Sequence, residues 1–193
     1  MPHLYLIRHG ITAANQEKRF AGRSNEPLHG EGVAQIRELG ERLRGRGIER
    51  IVTGPLARTC QTGAIIGEIL GLPVTTDDRF TEILLPHWDG LTKTAIRERF
   101  GDQYPTWLGN PAGFRVPGCE TIADVQARAV AAMEDLFVKA APVLVVSHLI
   151  VARALVLHYR GQPIDDFRTV EIANGALTIF DRLGDSTRVT LAG

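Results

Sequence analysis

Two stretches constrain this chain more than any others, "HLYLIRH" close to its start and "PVLVVSH" far downstream. Each is an apolar run of strand length that ends on a histidine, His9 in one and His148 in the other. A strand with one wet face alternates apolar and polar residues, whereas an unbroken run belongs to a strand covered on both faces. Such strands need helices on either side, and the sequence supplies them. "LHGEGVAQIRELGERLRGRGI" carries Val33, Ile36, Leu39 and Leu43 at helical spacing, and "LARTCQTGAIIGEILGLP" returns to the same period before Gly71 and Pro73 end it.

The rest of the chain continues the alternation. "RIVTGP" and "PVTTDDRF" read as two more short strands. Thr121 and Asp124 form a capping pair for a helix reaching about Lys139, and "LIVARALVLHYRG" reads as a further helix. "TVEIANGALTIFDRL" predicts a β-hairpin that turns near Asn174-Gly175. Between residues 91 and 118 the pattern loosens into one or two short helices and a loop. The expected fold is α/β, a three-layer α/β/α sandwich with a mostly parallel sheet and an antiparallel edge strand. With no linker or repeat visible, residues 1–193 are read as a single domain, in which the 86–118 segment faces substrate.

Lysine plus arginine equals aspartate plus glutamate at 22 each, so no global field draws the chain to nucleic acid or to an anionic membrane. No window approaches the roughly 20 apolar residues of a membrane helix, and Arg8 and His9 interrupt anything resembling a signal peptide. A soluble cytoplasmic protein is expected, with Cys60 and Cys119 reduced. Apolar edges leave room for a homodimer without any one segment specifying it.

Ligands of open α/β sheets bind beyond the carboxyl ends of the strands, which is where Arg8-His9 and Ser147-His148 fall. A histidine beside an arginine resists protonation, and a neutral imidazole is a nucleophile. Guanidinium is the side-chain fork best matched to phosphate, and Arg58 opens the second helix near the same rim, where a helix N-terminus also favours anions. Arg8, His9, Arg58 and His148 therefore compose a candidate phosphate pocket with a nucleophile inside it.

The stretches "LIRHGITAANQEKRFAGRSNEPLHGEG", "VTGPLARTCQTGAIIGEILGLPV", "FTEILLPHWDGL", "PGCET" and "VLVVSHLIVARAL" carry a clear resemblance. In this order they resemble the histidine phosphatases, the superfamily that includes cofactor-dependent phosphoglycerate mutase and fructose-2,6-bisphosphatase. The resemblance implies that His9 is the nucleophile that becomes phosphohistidine. Arg8, Arg58 and a cationic His148 would hold the phosphoryl oxygens, with Asn15 and backbone amides near Gly22 and Leu149 assisting. It also implies that Glu82 is the acid and base of the two half-reactions, and that neither metal nor cofactor is needed. Selection among small phosphomonoesters would rest on Phe20, Arg23 and the 86–118 segment.

The sequence departs from the family pattern at three places. Ile11 follows Gly10 where relatives often carry Glu or Gln, Leu149-Ile150 follow His148 where a glycine pair is usual, and Gly54 stands where serine is frequent. Hydrolysis is favoured over mutase chemistry, because the segment between Glu82 and Glu120 is short and lacks the insertion of the family's mutases. A weakly active phosphate-ligand sensor is the remaining alternative. Tyr104, Trp107, Trp88 and Phe114 are divided evenly between a pocket wall and the core.

Overall fold

The structure, a computed structural model, describes residues 3–139 and 141–192. Its centre is a six-stranded sheet. In chain order the strands are β1 (His3–Arg8), β2 (Arg50–Thr53), β3 (Val74–Thr76), β4 (Val143–Ser147), β5 (Leu177–Leu183) and β6 (Ser186–Ala192). Their spatial order is β3-β2-β4-β1-β5-β6. β1, β4, β2 and β3 run parallel, and β5 and β6 join antiparallel at one side.

Both apolar runs are buried on two faces, as their composition requires. Along β1, Leu4 and Leu6 face one core, while Tyr5 and Ile7 face the other, the two-residue period of a strand. The second core is covered by α2 (Gly30–Arg42) and α3 (Ala57–Leu70), through Ile36, Leu39 and Ile66. The first is covered by α6 (Ile122–Val138) and α7 (Leu149–Tyr159), through Val125, Met133, Val151 and Leu155. This is the expected three-layer arrangement. The Thr121–Asp124 pair forms a reciprocal capping box at the start of α6.

The loose segment contains α4 (Lys93–Phe100) and α5 (Gln103–Gly109), followed by a turn at Pro111–Gly113. Trp88, which is fully buried, holds it together by ring contacts with Phe20, Tyr104, Trp107 and Phe114. A four-residue helical turn that was not anticipated, α1 (Ala13–Gln16), sits in the polar loop after β1.

The predicted hairpin is displaced. The real turn is Gly184-Asp185, joining β5 to β6, with Gly184 at φ +61° as a tight hairpin turn demands. Residues 170–173 alternate in burial, with Val170 and Ile172 inward, yet the carbonyls of those two serve side chains rather than a ladder. The Val170 carbonyl accepts from Arg153 Nε at 2.7 Å and the Ile172 carbonyl from Arg8 at 2.8 Å.

Candidate active site

Strand register sets the site. Arg8 pairs with Ser147 and Thr53 with Val146, so the parallel strands end level with one another and release their next residues on one rim. His9 N–H donates to the Ser147 carbonyl at 2.9 Å, and Gly54 N–H to the Val146 carbonyl at 2.9 Å. The two histidine rings thus meet, their centroids 5.3 Å apart at 59°. Gly32, at the start of α2, allows the loop after His9 to lie against that helix, because a Cβ there would strike the Ile11 backbone.

A cavity of about 120 Å³ opens here, lined by Arg8, His9, Asn15, Gly22, Arg58 and Glu82, with Leu149 and Ile150 closing its side. Each polar wall has a definite support. His9 Nδ1 lies 2.8 Å from the Gly10 carbonyl, which makes it the protonated nitrogen and leaves Nε2 with a free lone pair. Burial, then Arg58 and Arg8, hold the His9 pKa well below the usual 6.5, so the ring is neutral at pH 7. Arg8, fixed through the Ile172 carbonyl, is lowered by burial to about 10 and keeps its charge. Arg58 is buried in the first turn of α3 and donates to the Ser24 carbonyl at 2.7 Å and the Gly22 carbonyl at 2.6 Å.

Glu82 is the single carboxylate among the described residues lining this cavity. It accepts from Ile83 N–H at 2.9 Å and weakly from Ile150 N–H at 3.5 Å. Its pKa is nevertheless raised: burial outweighs those bonds and the attraction of Arg58 and Arg8. A carboxyl that holds its proton more tightly than usual thus shares one cavity with a neutral imidazole, a combination able to serve as acid and nucleophile.

His148 is fully buried, and burial, Arg58 and His9 push its pKa well below 6.5, so with no anion beside it the ring is neutral. Neither of its nitrogens has a partner among the described residues. The Asn15 side chain completes a capping box with Thr12 and also lines the cavity.

Arg23 does not line the cavity. Its guanidinium turns behind the acid, donating from Nε to the Glu82 carbonyl at 2.9 Å and from a terminal nitrogen to Glu120 at 2.8 Å. There it joins Arg128, which donates to the carbonyls of Arg79 at 2.6 Å and Thr81 at 2.7 Å and pairs with Glu120 at 3.0 Å. Glu120 also accepts from Leu84 N–H at 2.9 Å. The loop bearing Glu82 is therefore clamped from behind by two arginines gathered on one carboxylate.

Sequence reasoning missed three other contributors. Arg19 lines the cavity, Arg153 lies close by on α7, and Asn174 donates to the His9 carbonyl at 3.0 Å and to Asn15 at 3.0 Å. Asn174 left a trace in "ANG", which was assigned to a turn. His87 bonds Gln103 at 2.8 Å and packs against Phe100, outside the cavity. His29 instead caps α2.

A fold with two buried histidines and two arginines at the carboxyl rim of a mostly parallel sheet defines a phosphate-handling α/β protein. The chain belongs to the histidine phosphatase superfamily (branch 1), whose family model matches residues 4–193. It is 33% identical over 189 residues to a probable phosphoglycerate mutase GpmB of Klebsiella pneumoniae, covering 94% of this chain and 85% of that protein. Among solved structures, YhfR of Bacillus stearothermophilus superposes with a TM-score of 0.93 at 28% identity, covering 99% of this chain and 96% of YhfR. A mycobacterial glucosyl-3-phosphoglycerate phosphatase, solved with VO3, superposes at 0.88 with 27% identity, covering 99% of this chain and 97% of that one. No helix among the described residues is long and apolar enough to cross a membrane.

Proposed function

We propose that the protein hydrolyses small phosphomonoesters through a phosphohistidine on His9, without a metal ion. The observation that carries this reading is the His9 tautomer, with Nδ1 engaged by the Gly10 carbonyl and Nε2 available on a neutral ring. In the first step the Nε2 lone pair attacks phosphorus and the P–O bond to the leaving group breaks. The Glu82 proton goes to the departing alkoxide oxygen, releasing an alcohol. In the second step the Glu82 carboxylate takes a proton from water, whose oxygen attacks the phosphohistidine. The N–P bond breaks, inorganic phosphate leaves, and the starting protonation state returns.

Arg8 and Arg58 supply fixed positive charge to the phosphoryl oxygens throughout. His148 adds to it, because an arriving phosphate dianion reverses the balance that keeps this imidazole neutral and favours its protonated form. The likeness to a phosphatase crystallised with VO3 supports the same reading.

The test is trapping of a radiolabelled phosphoenzyme by an alkaline denaturing quench, together with a hydrolysis screen over metabolite phosphomonoesters in excess EDTA. The expected result is an acid-labile, base-stable phosphoenzyme and EDTA-resistant turnover, both lost in His9→Ala. Undiminished turnover in that variant would remove His9 from its role. A second reading, phosphoglycerate mutase, draws on the probable mutases among the relatives. It would prevail if bisphosphoglycerate supported fast interconversion of phosphoglycerates with little release of phosphate.

A further inference from the structure

A second cavity, of about 250 Å³, adjoins the first, with Arg19, Phe20, Leu149 and Ile150 walling both. If His9 attacks a phosphoester held in the smaller cavity, the alcohol portion of the substrate extends into this larger one. The chemistry of the larger cavity therefore describes the leaving group.

Its floor is apolar and rigid. Phe20, Ile96, Tyr104, Trp107, Leu149 and Phe167 form it, and several of these belong to the ring cluster around Trp88 and Trp107. Leu149 thus has a use where the family pattern has glycine, since it supplies apolar surface between the two cavities.

Its rim is cationic. Lys18, Arg19, Lys93, Arg153 and Arg168 stand around it, and no carboxylate lines it among the described residues. In a chain with equal numbers of acidic and basic residues, this is a marked local excess. Arg19 is committed to Glu17 and Glu26, but Lys18, Lys93, Arg153 and Arg168 form no ion pair among the described residues. Arg153 is also preorganised. Its Nε is held by the Val170 carbonyl and its guanidinium lies 5.2 Å over the Phe167 ring, while its terminal nitrogens donate to no protein group among the described residues. Nearby carboxylates act on it only at longer range, through Glu171 and Glu82, and Arg168 opposes them.

We infer that the preferred substrates carry a second anionic group, a carboxylate or another phosphate, on an apolar or aromatic body attached to the scissile phosphate. The apolar body lies on the Tyr104–Trp107–Phe167 floor, and the distal anion meets Arg153 with Lys93 and Arg168 nearby. This rests on the phosphatase reading for its orientation, but the charge pattern stands apart from turnover.

The experiment pairs hydrolysis with binding. Phenyl phosphate is compared with 4-carboxyphenyl phosphate for kcat/KM. Benzylphosphonate, 4-carboxybenzylphosphonate and para-xylylenediphosphonate, which are not hydrolysed, are compared for Kd by calorimetry. The expected preference for each doubly anionic compound is roughly tenfold, shrinking as salt is raised. The carboxylate and diphosphonate arms tell which anion fits better. In Lys93→Gln/Arg168→Gln, two exposed positions, the ratio between charged and neutral compounds falls severalfold. Equal affinities for neutral and doubly anionic phosphonates, or a preference indifferent to that double variant, would overturn the inference. A binding preference without turnover of any ester would instead defeat the phosphatase reading and leave the anion subsite standing.

Discussion

Removing the carboxylate of Glu120 separates support of the acid from support of the fold. Glu120 accepts from Arg23, from Arg128 through two nitrogens and from the Leu84 amide, at 2.8, 3.0, 3.2 and 2.9 Å. In Glu120→Ala those four bonds vanish and two guanidinium groups lose their counter-charge. A fully buried loss of this kind costs about 3–5 kcal/mol. The side chains here are 18–32% exposed, so water takes over part of the bonding and about 2–3 kcal/mol is the better figure. At roughly 2–4 °C per kcal/mol for a chain of this size, the melting temperature drops by about 5–10 °C. Arg23 and Arg128 would still reach the Glu82 carbonyl, but no longer from fixed positions, and misplacement of a reacting group by about 1 Å can cost on the order of 100-fold. Steady-state kinetics well below the melting temperature should therefore show a kcat decrease of about 10–100-fold with KM little changed. The loss should be larger on alkyl phosphates, whose leaving group needs a proton, than on p-nitrophenyl phosphate, whose leaving group does not. Water admitted around Glu82 should also bring its limb of the pH profile down toward the ordinary carboxylate range. If stability falls as stated while kcat stays within about twofold and the limb does not move, Glu120 braces the fold alone and the positioning argument is wrong.

Two buried neutral histidines make the fold acid-sensitive. Both folded pKa values lie below the unfolded value near 6.5, so the unfolded chain binds more protons and stability falls as pH drops beneath about 6.5. Each histidine contributes a slope of at most about 1.4 kcal/mol per pH unit, while Glu82, shifted the other way, offsets part of it as pH falls toward its unfolded value. Urea unfolding from pH 5 to 7 should show a shallower pH slope in His148→Asn, and an unchanged slope would contradict a neutral His148. Gly22→Ala should cost about 1–3 kcal/mol, because φ is +46° and the new methyl runs into the Asp89 carboxylate. It should also weaken phosphate binding by moving the carbonyl that anchors Arg58, which calorimetry with inorganic phosphate would reveal.

Most of the architecture could be read from period alone, because burial on two faces leaves unbroken apolar runs and amphipathic helices leave spaced ones. The hairpin could not. In "TVEIANGALTIF" the alternation of Val170 and Ile172 is true of burial and false of pairing, since their carbonyls are taken by Arg153 and Arg8. A strand and a strap buried on one side look alike in sequence, and only the partner of each carbonyl separates them. The same limit governs the site. His9, His148, Arg8 and Arg58 were legible because each is tied to an element end that periodicity locates. Arg23 and Arg153 were not, because a long side chain reaches in more than one direction and its destination depends on which acceptors the fold brings within range. Arg23 found the Glu82 carbonyl and Glu120 behind the acid, and Arg153 found the Val170 carbonyl beside the larger cavity. The groups proposed to react thus sit where short segments place them, whereas the residues proposed to choose the substrate are set by tertiary contacts.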